Sequence, residues 1–318
     1  MSAYLAQRGI ECLLVLLTVS FVGYGLIGLM PGDPLDLMLT ADPNLTSDDI
    51  ARLKAIYGLD RPLLERYGLW LGRALQGDFG YSRLYAEPAW QVVATALPNT
   101  LVLMGASLAL ALVLALPAGI LAAMHPGSRL DIGVNAIALA GISAPSFWLA
   151  LVLIIVFSVM LGWFPAGGVH TVGAGGALER LHHLVLPVVT LSVLTVGSLL
   201  RFTRAAMIEA LVLPHLRTAR AKGASVRHTV IRHALPSAMI AITTITALHV
   251  GALLSGALII ETVFAYPGMG RLIFEAIMGN DYNVALLALL GTTAMTLACN
   301  LAADGVYAWL DPRIRYAG

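Results

Sequence analysis

Charged side chains are scarce in this chain of 318 residues, and lysine and cysteine are scarcer still. Only 12% of the residues are charged while 58% are hydrophobic, which is too apolar for a soluble domain of this length. The two lysines, Lys54 and Lys222, do not follow glycine, so the chain lacks the Gly-Lys-Ser/Thr pattern of a P-loop. The two cysteines, Cys12 and Cys299, lie in apolar runs, where thiols act as small hydrophobes. The sequence therefore predicts an integral membrane protein that does not bind ATP through a P-loop.

Long apolar runs are abundant in the sequence. A helix needs roughly 20 apolar residues to cross about 30 Å of hydrocarbon, and open sheets cannot cross because their edge amides would lack partners. Six segments qualify, namely residues 10–29, 97–123, 132–161, 184–200, 238–264 and 284–310. The first is longer than the roughly 7 to 15 apolar residues of a signal peptide, so we interpret it as a retained anchor. These runs predict an all-α polytopic membrane protein with six transmembrane helices.

The positions of the basic residues predict how these helices are oriented. The segment 201–236 contains seven basic residues and a single acid, Glu209. If the long segment 31–96 is left out, one side of the membrane holds eleven Lys and Arg in its short flanks, and the other holds only Arg180 and Arg271. Because short cytoplasmic flanks carry the excess of Lys and Arg, we expect both termini and the 201–236 loop to be cytoplasmic.

The chain is thus divided into three parts. Residues 1–30 form the tail and first span, residues 31–96 form an extracytoplasmic helical segment, and residues 97–318 form a five-helix core. In the outer segment, a capping-box pattern at Thr46 and Asp49 begins one amphipathic helix that Gly58 ends. A second helix begins at Pro62 and ends before Gly77. Its apolar residues recur at helical spacing at Leu64, Tyr67, Leu71 and Leu75. We expect the two helices to lie on the membrane surface or on neighbouring helices.

The 201–236 loop is long for a connection between spans, and loops of this length usually have a function. Its apolar and basic residues are interleaved, which indicates short amphipathic helices, the first ended by Gly223 and the second capped by Ser225. The charges alone would equally fix the topology and contact anionic lipid. Neither of these roles explains the spacing from Gly223 to Pro236.

These residues resemble the permease subunits of bacterial ABC importers, in the dipeptide, oligopeptide and nickel branch and its first, B-type permease. The loop signature of such permeases is Glu-Ala-Ala, three residues, Gly, nine residues, Ile, one residue and Leu-Pro. It appears here as Arg217, Thr218, Ala219, Gly223, His233, Leu235 and Pro236. Arginine replaces the acid and histidine replaces the isoleucine, as is typical of the peptide branch. Residues 31–34, 264–271 and 311–315 also match, whereas Asn283 stands where the family more often has proline.

The resemblance implies the type I ABC importer permease fold, with a coupling helix around residues 219–223 that enters a groove of a cytoplasmic ATPase. Ala219 and Ala221 would permit close approach, and Gly223 would permit the turn. Arg217, Arg220 and Lys222 would pair with acids of the partner or with lipid headgroups.

The same resemblance implies several partners in the bacterial inner membrane. They are a second homologous permease, two ATPase subunits that bind ATP and Mg²⁺, and an extracytoplasmic binding protein. It implies no cofactor, metal, nucleic acid or catalytic site for this chain, and it leaves open which solute is imported. Peptides of different lengths and nickel chelates both fit.

The translocation path is predicted to be polar but largely uncharged, because no span carries a run of acids or bases. The candidate lining residues are Ser143, Ser146, Thr243, Thr244, Thr246, His249, Ser255, Thr292, Thr293, Thr296 and Asn300. For each hydroxyl, the alternative is a bond to its own helix or to a neighbouring one. Pro145 predicts a kink or tilt in the third span.

Four charged residues are candidates for a structural role at the outer mouth: Asp33, Glu261, Arg271 and Asp281. Asp33 lies between Gly32 and Pro34, where an aspartate commonly caps a turn. Glu261 and Arg271 flank a Pro-Gly turn and would either bridge each other or contact a substrate-delivering protein.

Two other classes of function are weighed against this reading. An intramembrane protease would need His-Glu-x-x-His or Gly-x-Ser-Gly, and the chain has neither pattern. A stand-alone secondary transporter or channel remains the alternative, although the two halves of the chain show no convincing repeat.

Overall fold

The computed structural model describes residues 2–28, 61–171, 173 and 175–310. These residues are helical apart from turns and one isolated bridge between Tyr81 and Pro88, so the all-α prediction is confirmed. The helices are α1 (Ser2–Gly28), α2 (Leu63–Ala74), α3 (Ala89–Met124), α4 (Arg129–Ser143), α5 (Ser146–Leu153), α6 (Ala177–Leu211), α7 (Pro214–Ala221), α8 (Val226–Thr229), α9 (Leu235–Val263), α10 (Met269–Met278) and α11 (Tyr282–Leu310). The predicted helix at 46–58, Asp33 and the 311–315 motif lie outside the described residues.

Five helical stretches of the described chain are long and apolar enough to cross a membrane. They are Gln7–Gly28, Ala89–Met124, Ala177–Leu211, Val226–Gly251 and Tyr282–Ala302. A sixth arises if α4 and α5, with the π-helical turn Ile154–Met160 that extends α5, count as one span. The six predicted apolar segments therefore all correspond to helices.

The third predicted span is sharply broken at Ala144 and Pro145. Both residues have extended backbone angles, with ψ of 128° and 133°, because a residue that precedes proline is disfavoured in the α region. The two halves are bent by 102°. The kink expected at Pro145 is confirmed, but one continuous helix over 132–161 is not what forms.

The chain divides into two compact units, and the first comprises residues 98–271 together with the chain from Met295 onward. Its centre is α6, which packs against α4 and α9. The contact with α4 is very close, since a Cβ on Gly197 would lie 2.4 Å from the carbonyl oxygen of Ala138. Only glycine fits at that position.

The second unit comprises residues 2–97 and 272–294. Helix α2 packs on α1 through an aromatic cluster of Phe21, Tyr24, Tyr67 and Trp70, with ring centroids 5.2 to 6.0 Å apart. The hydroxyl groups of Ser20 and Tyr67 are hydrogen-bonded at 2.7 Å.

The second outer helix is confirmed. Of the apolar residues that recur along it, Tyr67 packs on α1, whereas Leu64 and Leu75 are 70% and 81% exposed. Trp70, which was not among the predicted apolar positions, is buried. The aromatic rings of α1 pack on the side of α2 that carries Tyr67 and Trp70. The spacing of apolar residues alone does not predict which side of α2 packs.

Helix α6 extends further than the predicted span of 184–200. It continues to Leu211, so Arg201 and Arg204 belong to a helix and the predicted 201–236 loop shortens to residues 212–234. A helix satisfies its own backbone hydrogen bonds, so a charged side chain does not end it.

Candidate functional site

The connection between α6 and α9, residues 212–234, is called the basic loop below. Proline 214 stands at the first turn of α7, where its missing N–H is not needed. After α8, the turn Val230–Ala234 is π-helical and leads directly into α9. Pro236 cannot donate to the carbonyl of Arg232, which accounts for a wider turn at this point.

Gly223 ends α7 in the way the sequence predicts. Its φ is +82°, a left-handed conformation that glycine adopts without strain. The N–H of Gly223 donates to the carbonyl of Arg220 at 2.9 Å, and the N–H of Ala224 donates to that of Ala219 at 3.2 Å. This pair of bonds is a Schellman motif. The predicted cap of α8 is also present, because Ser225 Oγ accepts from the N–H of His228 at 3.3 Å.

One side of the basic loop is fixed in a hydrophobic core. Leu216 is fully buried and packs in a cluster with residues from the ends of α3, α6 and α9. The buried members of this cluster are Ala123, Met207, Ala210, Leu216, Val230, Ala234, Ala238 and Ile242. Leu216 therefore connects α7 to three long helices through direct packing.

The other side of α7 is exposed and basic. Arg217, Arg220 and Lys222 are exposed, and within the described part of the chain they form no hydrogen bond or ion pair through their side chains. Of the remaining coupling candidates, Thr218, Ala221, Gly223 and Pro236 are exposed, and Ala219, His233 and Leu235 are half-buried. The rings of His228 and His233 meet edge to face at 5.7 Å.

A buried ion pair that sequence reasoning missed lies in the same unit. Asp131, at the start of α4, is 4% exposed and accepts from Nε and Nη2 of Arg204 in α6, at 2.5 and 2.8 Å. It also accepts from the N–H of Gly127 at 2.9 Å and from Asn135 Nδ2 at 2.7 Å. The bidentate geometry links α4 firmly to α6. The available signal was an isolated acid at the start of an apolar run.

Five of the eleven path candidates bond to their own helices. Ser143, Thr244, Thr246, Thr292 and Thr293 each donate to a backbone carbonyl three or four residues earlier, at 2.8 to 2.9 Å. Ser146 and Thr243 are half-buried in α5 and α9, Thr296 is half-buried in α11, and Asn300 is exposed. Ser255 lies in α9, and its side chain is outside what the structure describes.

His249 makes a contact between helices. Its Nε2 lies 2.9 Å from Oγ of Ser198 in α6. This places the polar pair at the packing surface of α9 and α6, next to the residues that surround Arg204.

Glu261 organises the Pro-Gly turn after α9. The fully buried carboxylate accepts from the N–H of Gly270 at 2.7 Å, from the N–H of Arg271 at 3.2 Å and from Thr100 Oγ1 at 2.6 Å. The guanidinium of Arg271 donates to the carbonyl of Ala265. Glu261 therefore contacts Arg271 through the backbone N–H of Arg271. Through its bond to Thr100 it also holds the start of α10 against α3.

Tyr266 closes the same turn. Burial, together with the nearby charge of Glu261, raises the pKa of Tyr266 to about 12. Its hydroxyl therefore stays protonated and can donate to the carbonyl of Asn99, 3.4 Å away.

Asp281 has a comparable role in the second unit. It is 2% exposed and accepts from Ser82 Oγ and from the N–H of Leu84 at 3.0 Å. It also caps α11 by accepting from the N–H of Val284 at 3.4 Å. Asn283, which stands where the family more often has proline, donates from Nδ2 to the carbonyl of Tyr81 at 2.9 Å.

Nowhere in the described ranges do three or more His, Cys, Asp or Glu side chains come together as metal ligands would. The described residues contain instead packed spans, the buried carboxylates of Asp131, Glu261 and Asp281, and the exposed basic helix α7.

Residues 115–316 match the family described as the inner membrane component of binding-protein-dependent transport systems, and residues 1–104 match its N-terminal family. The chain belongs to this family. It is 36% identical over 318 residues to the oligopeptide transport system permease protein AppB of Bacillus subtilis (strain 168), covering 99% of this chain and 100% of that one. It is 37% identical over 320 residues to the di/tripeptide transport system permease protein DppB of Pseudomonas aeruginosa (strain UCBPP-PA14), covering 94% of each.

Solved structures support the same fold. The chain is similar to a subunit of the MetNI methionine ABC transporter in an inward-facing conformation, with a TM-score of 0.59 and 20% identity over 71% of this chain and 99% of that one. The type I importer fold expected from the resemblance is therefore confirmed. The chain is a multi-pass permease subunit of an ABC importer.

Proposed function

We propose that this permease forms the translocation path of an ATP-driven peptide importer, and that the basic loop is its coupling element to cytoplasmic ATPases. The peptide class is supported by the names of relatives that align over almost the whole chain. The observation that carries the coupling role is the exposed basic side of α7, held in place by the buried Leu216 on its other side.

The charges of α7 are arranged for a partner. Arg217 and Arg220 are three residues apart on one helix, a spacing at which like charges repel each other. No acid lies in α7 to offset them. An acidic groove on an ATPase subunit would relieve this repulsion, and Ala219 and Ala221 keep the helix thin enough to enter it.

The packing of Leu216 in the hydrophobic cluster explains how a movement of α7 would reach the transmembrane helices. When the ATPases bind ATP and approach each other, a rigidly capped α7 would carry the motion through Leu216 to the ends of α3, α6 and α9. Movement of packed helices as bodies is an established form of switching. The partners in this proposal are two ATPases that hold ATP and Mg²⁺, a second permease and an extracytoplasmic binding protein, and both termini of this chain are cytoplasmic.

The test compares two glycines that occupy the same kind of cap. Gly223 and Gly77 have φ of +82° and +85°, and a Cβ on either would meet nothing within 4 Å. Each donates its N–H to the carbonyl three residues earlier, at 2.9 and 3.0 Å. Proline at either position would impose an unsuitable φ and remove that donor, so the Gly223→Pro and Gly77→Pro variants carry the same local damage.

The measurement is ATP-dependent uptake of labelled di- and oligopeptides into proteoliposomes that hold the chain with the subunits encoded beside it. Gly223→Pro is expected to lower uptake and binding-protein-stimulated ATP hydrolysis by at least about tenfold, because a misdirected α7 loses its contact with the ATPase. Gly77→Pro is expected to keep most of both activities. Equal losses in the two variants, or uptake that persists without ATPase subunits, would refute the coupling role and favour a secondary transporter.

A further inference from the structure

A cleft of about 420 Å³ opens beside the Asp131–Arg204 ion pair. Its polar lining comes from Asn135, Ser198, Arg201 and Arg204, and its apolar lining comes from Ile142, Phe202 and Ala205. All of these residues belong to α4 and α6. The cleft is therefore a basic pocket between two membrane helices, and the coupling role described above does not use it.

The two arginines of the cleft differ in their partners. Arg204 is bound through Nε and Nη2 to the buried carboxylate of Asp131, so its charge is largely neutralised. Arg201 is exposed and bonds to no side chain or carbonyl among the described residues. The cleft thus carries one uncompensated positive charge, with a second guanidinium held rigidly beside it.

The apolar part of the cleft faces outward from the protein. Phe202 is 48% exposed and Ile142 is 41% exposed. Arg201 directly follows the apolar run 184–200, which as a helix is roughly 25 Å long. This position puts the arginine at the membrane boundary, where the headgroups of phospholipids lie, with apolar side chains available for an acyl chain.

We propose that this cleft binds the phosphate of an anionic phospholipid, with Arg201 as its principal charge and Arg204 and Ser198 beside it. Basic pockets between membrane helices on the cytoplasmic side are the usual sites for such headgroups. The proposed orientation of the chain assigns the lipid to the cytoplasmic leaflet. The binding itself requires neither transport nor an ATPase, so its failure would not affect the proposed function.

The test uses the purified full-length chain in detergent, with phosphatidylglycerol or phosphatidylcholine added and the bound lipid counted by native mass spectrometry. Wild type is expected to retain phosphatidylglycerol in preference to phosphatidylcholine. Arg201→Gln should weaken that retention about fivefold, since each basic residue near an anionic surface contributes an effect of this size. Arg201→Lys should restore most of it.

Two further variants test whether Arg201 binds the lipid: a matched control, and a variant that is expected to increase lipid retention. Arg73→Gln removes an exposed arginine from α2 and should leave retention unchanged. Asp131→Asn removes the carboxylate that neutralises Arg204, so it should strengthen retention. Because Asp131 is buried, this variant is interpreted only where its thermal midpoint shows that it folds, and the Arg201 variants decide the question without it.

Two results would overturn the proposal. One is equal retention of phosphatidylglycerol by wild type and Arg201→Gln. The other is displacement of the lipid by dialanine but not by its C-terminal amide, because the cleft would then be a site for the carboxylate of the cargo.

Discussion

Helices α2 and α7 are both short and amphipathic, and both end in the same glycine cap. Gly77 and Gly223 share a positive φ, and in each case the next residue donates its N–H to a carbonyl five residues earlier, at 3.1 and 3.2 Å. The side of each helix that packs is different. Helix α2 is held to α1 by packed aromatic rings, whereas the buried side chain of α7 is that of Leu216.

This difference shows that the cap specifies where a helix stops and the packing specifies what it presents. The exposed part of α2 is apolar and of mixed charge, and includes Leu64 and Glu65, which pairs with Arg61 just before the helix. The charged residues of α7 are all basic, and Arg217 and Arg220 are both exposed. A surface of the first kind suits a lipid or protein neighbour, and a surface of the second kind suits an acidic partner.

The largest effect is expected from removing the anchor of α7. Leu216→Ala deletes a fully buried side chain and should destabilise the basic loop by about 3 kcal/mol, because it leaves a cavity that the long helices cannot close. Limited proteolysis would show this as faster tryptic cleavage after Arg217 and Arg220. The matched change on α2 is Leu64→Ala, which removes an exposed side chain and should leave cleavage of α2 unaltered. Similar cleavage of α7 in wild type and Leu216→Ala would mean that other contacts hold the helix.

A smaller effect is expected from reversing the charge on each helix. The double variant Arg217→Glu and Arg220→Glu should lower the amount of ATPase subunit that co-purifies with the tagged chain by about tenfold, because like charges across an interface repel. The double variant Arg66→Glu and Arg73→Glu makes the same change in net charge on α2 and should preserve co-purification. Loss in both would point to a general effect of charge and not to docking at α7.

The smallest effect is expected from one hydroxyl in the contact between α2 and α1. Tyr67→Phe keeps the ring but removes the hydrogen bond to Ser20, and it should lower the free energy of unfolding by about 1 kcal/mol. Tyr81→Phe serves as the comparison, because the Tyr81 hydroxyl also makes a hydrogen bond, donating to the carbonyl of Ala86, but the residue is 59% exposed. Thermal unfolding in detergent measures both. An equal shift for the two variants would show that burial does not strengthen the Tyr67 bond.

Local chemistry allowed several features to be predicted from the sequence. The stop at Gly223, the cap at Ser225 and the helix that begins after Pro62 each depend on residues within a few positions of one another. Caps and turns are decided at this range, so a single sequence contains the information.

Features that depend on distant residues were not predictable in the same way. Asp131 and Arg204 are far apart in sequence, and only the packing of α4 on α6 brings their charges together. The burial of Trp70 follows from its contact with the aromatic residues of α1. The bend at Pro145 was expected, but its size depends on Ala144 also leaving the helical conformation.

The bend at Ala144 and Pro145 determines where the third span stops crossing the bilayer. Helix α4 has 15 residues and is roughly 22 Å long, less than the hydrocarbon thickness of about 30 Å. A bend of 102° turns the chain sideways before it has crossed. Pro145 has no N–H to offer the last turn of α4, so the final carbonyls of that helix lack helical donors at membrane depth, and lipid chains cannot provide them. Water or another subunit must therefore contact the backbone at that depth. The break thus marks a position where the chain is next to water or protein and not surrounded by lipid.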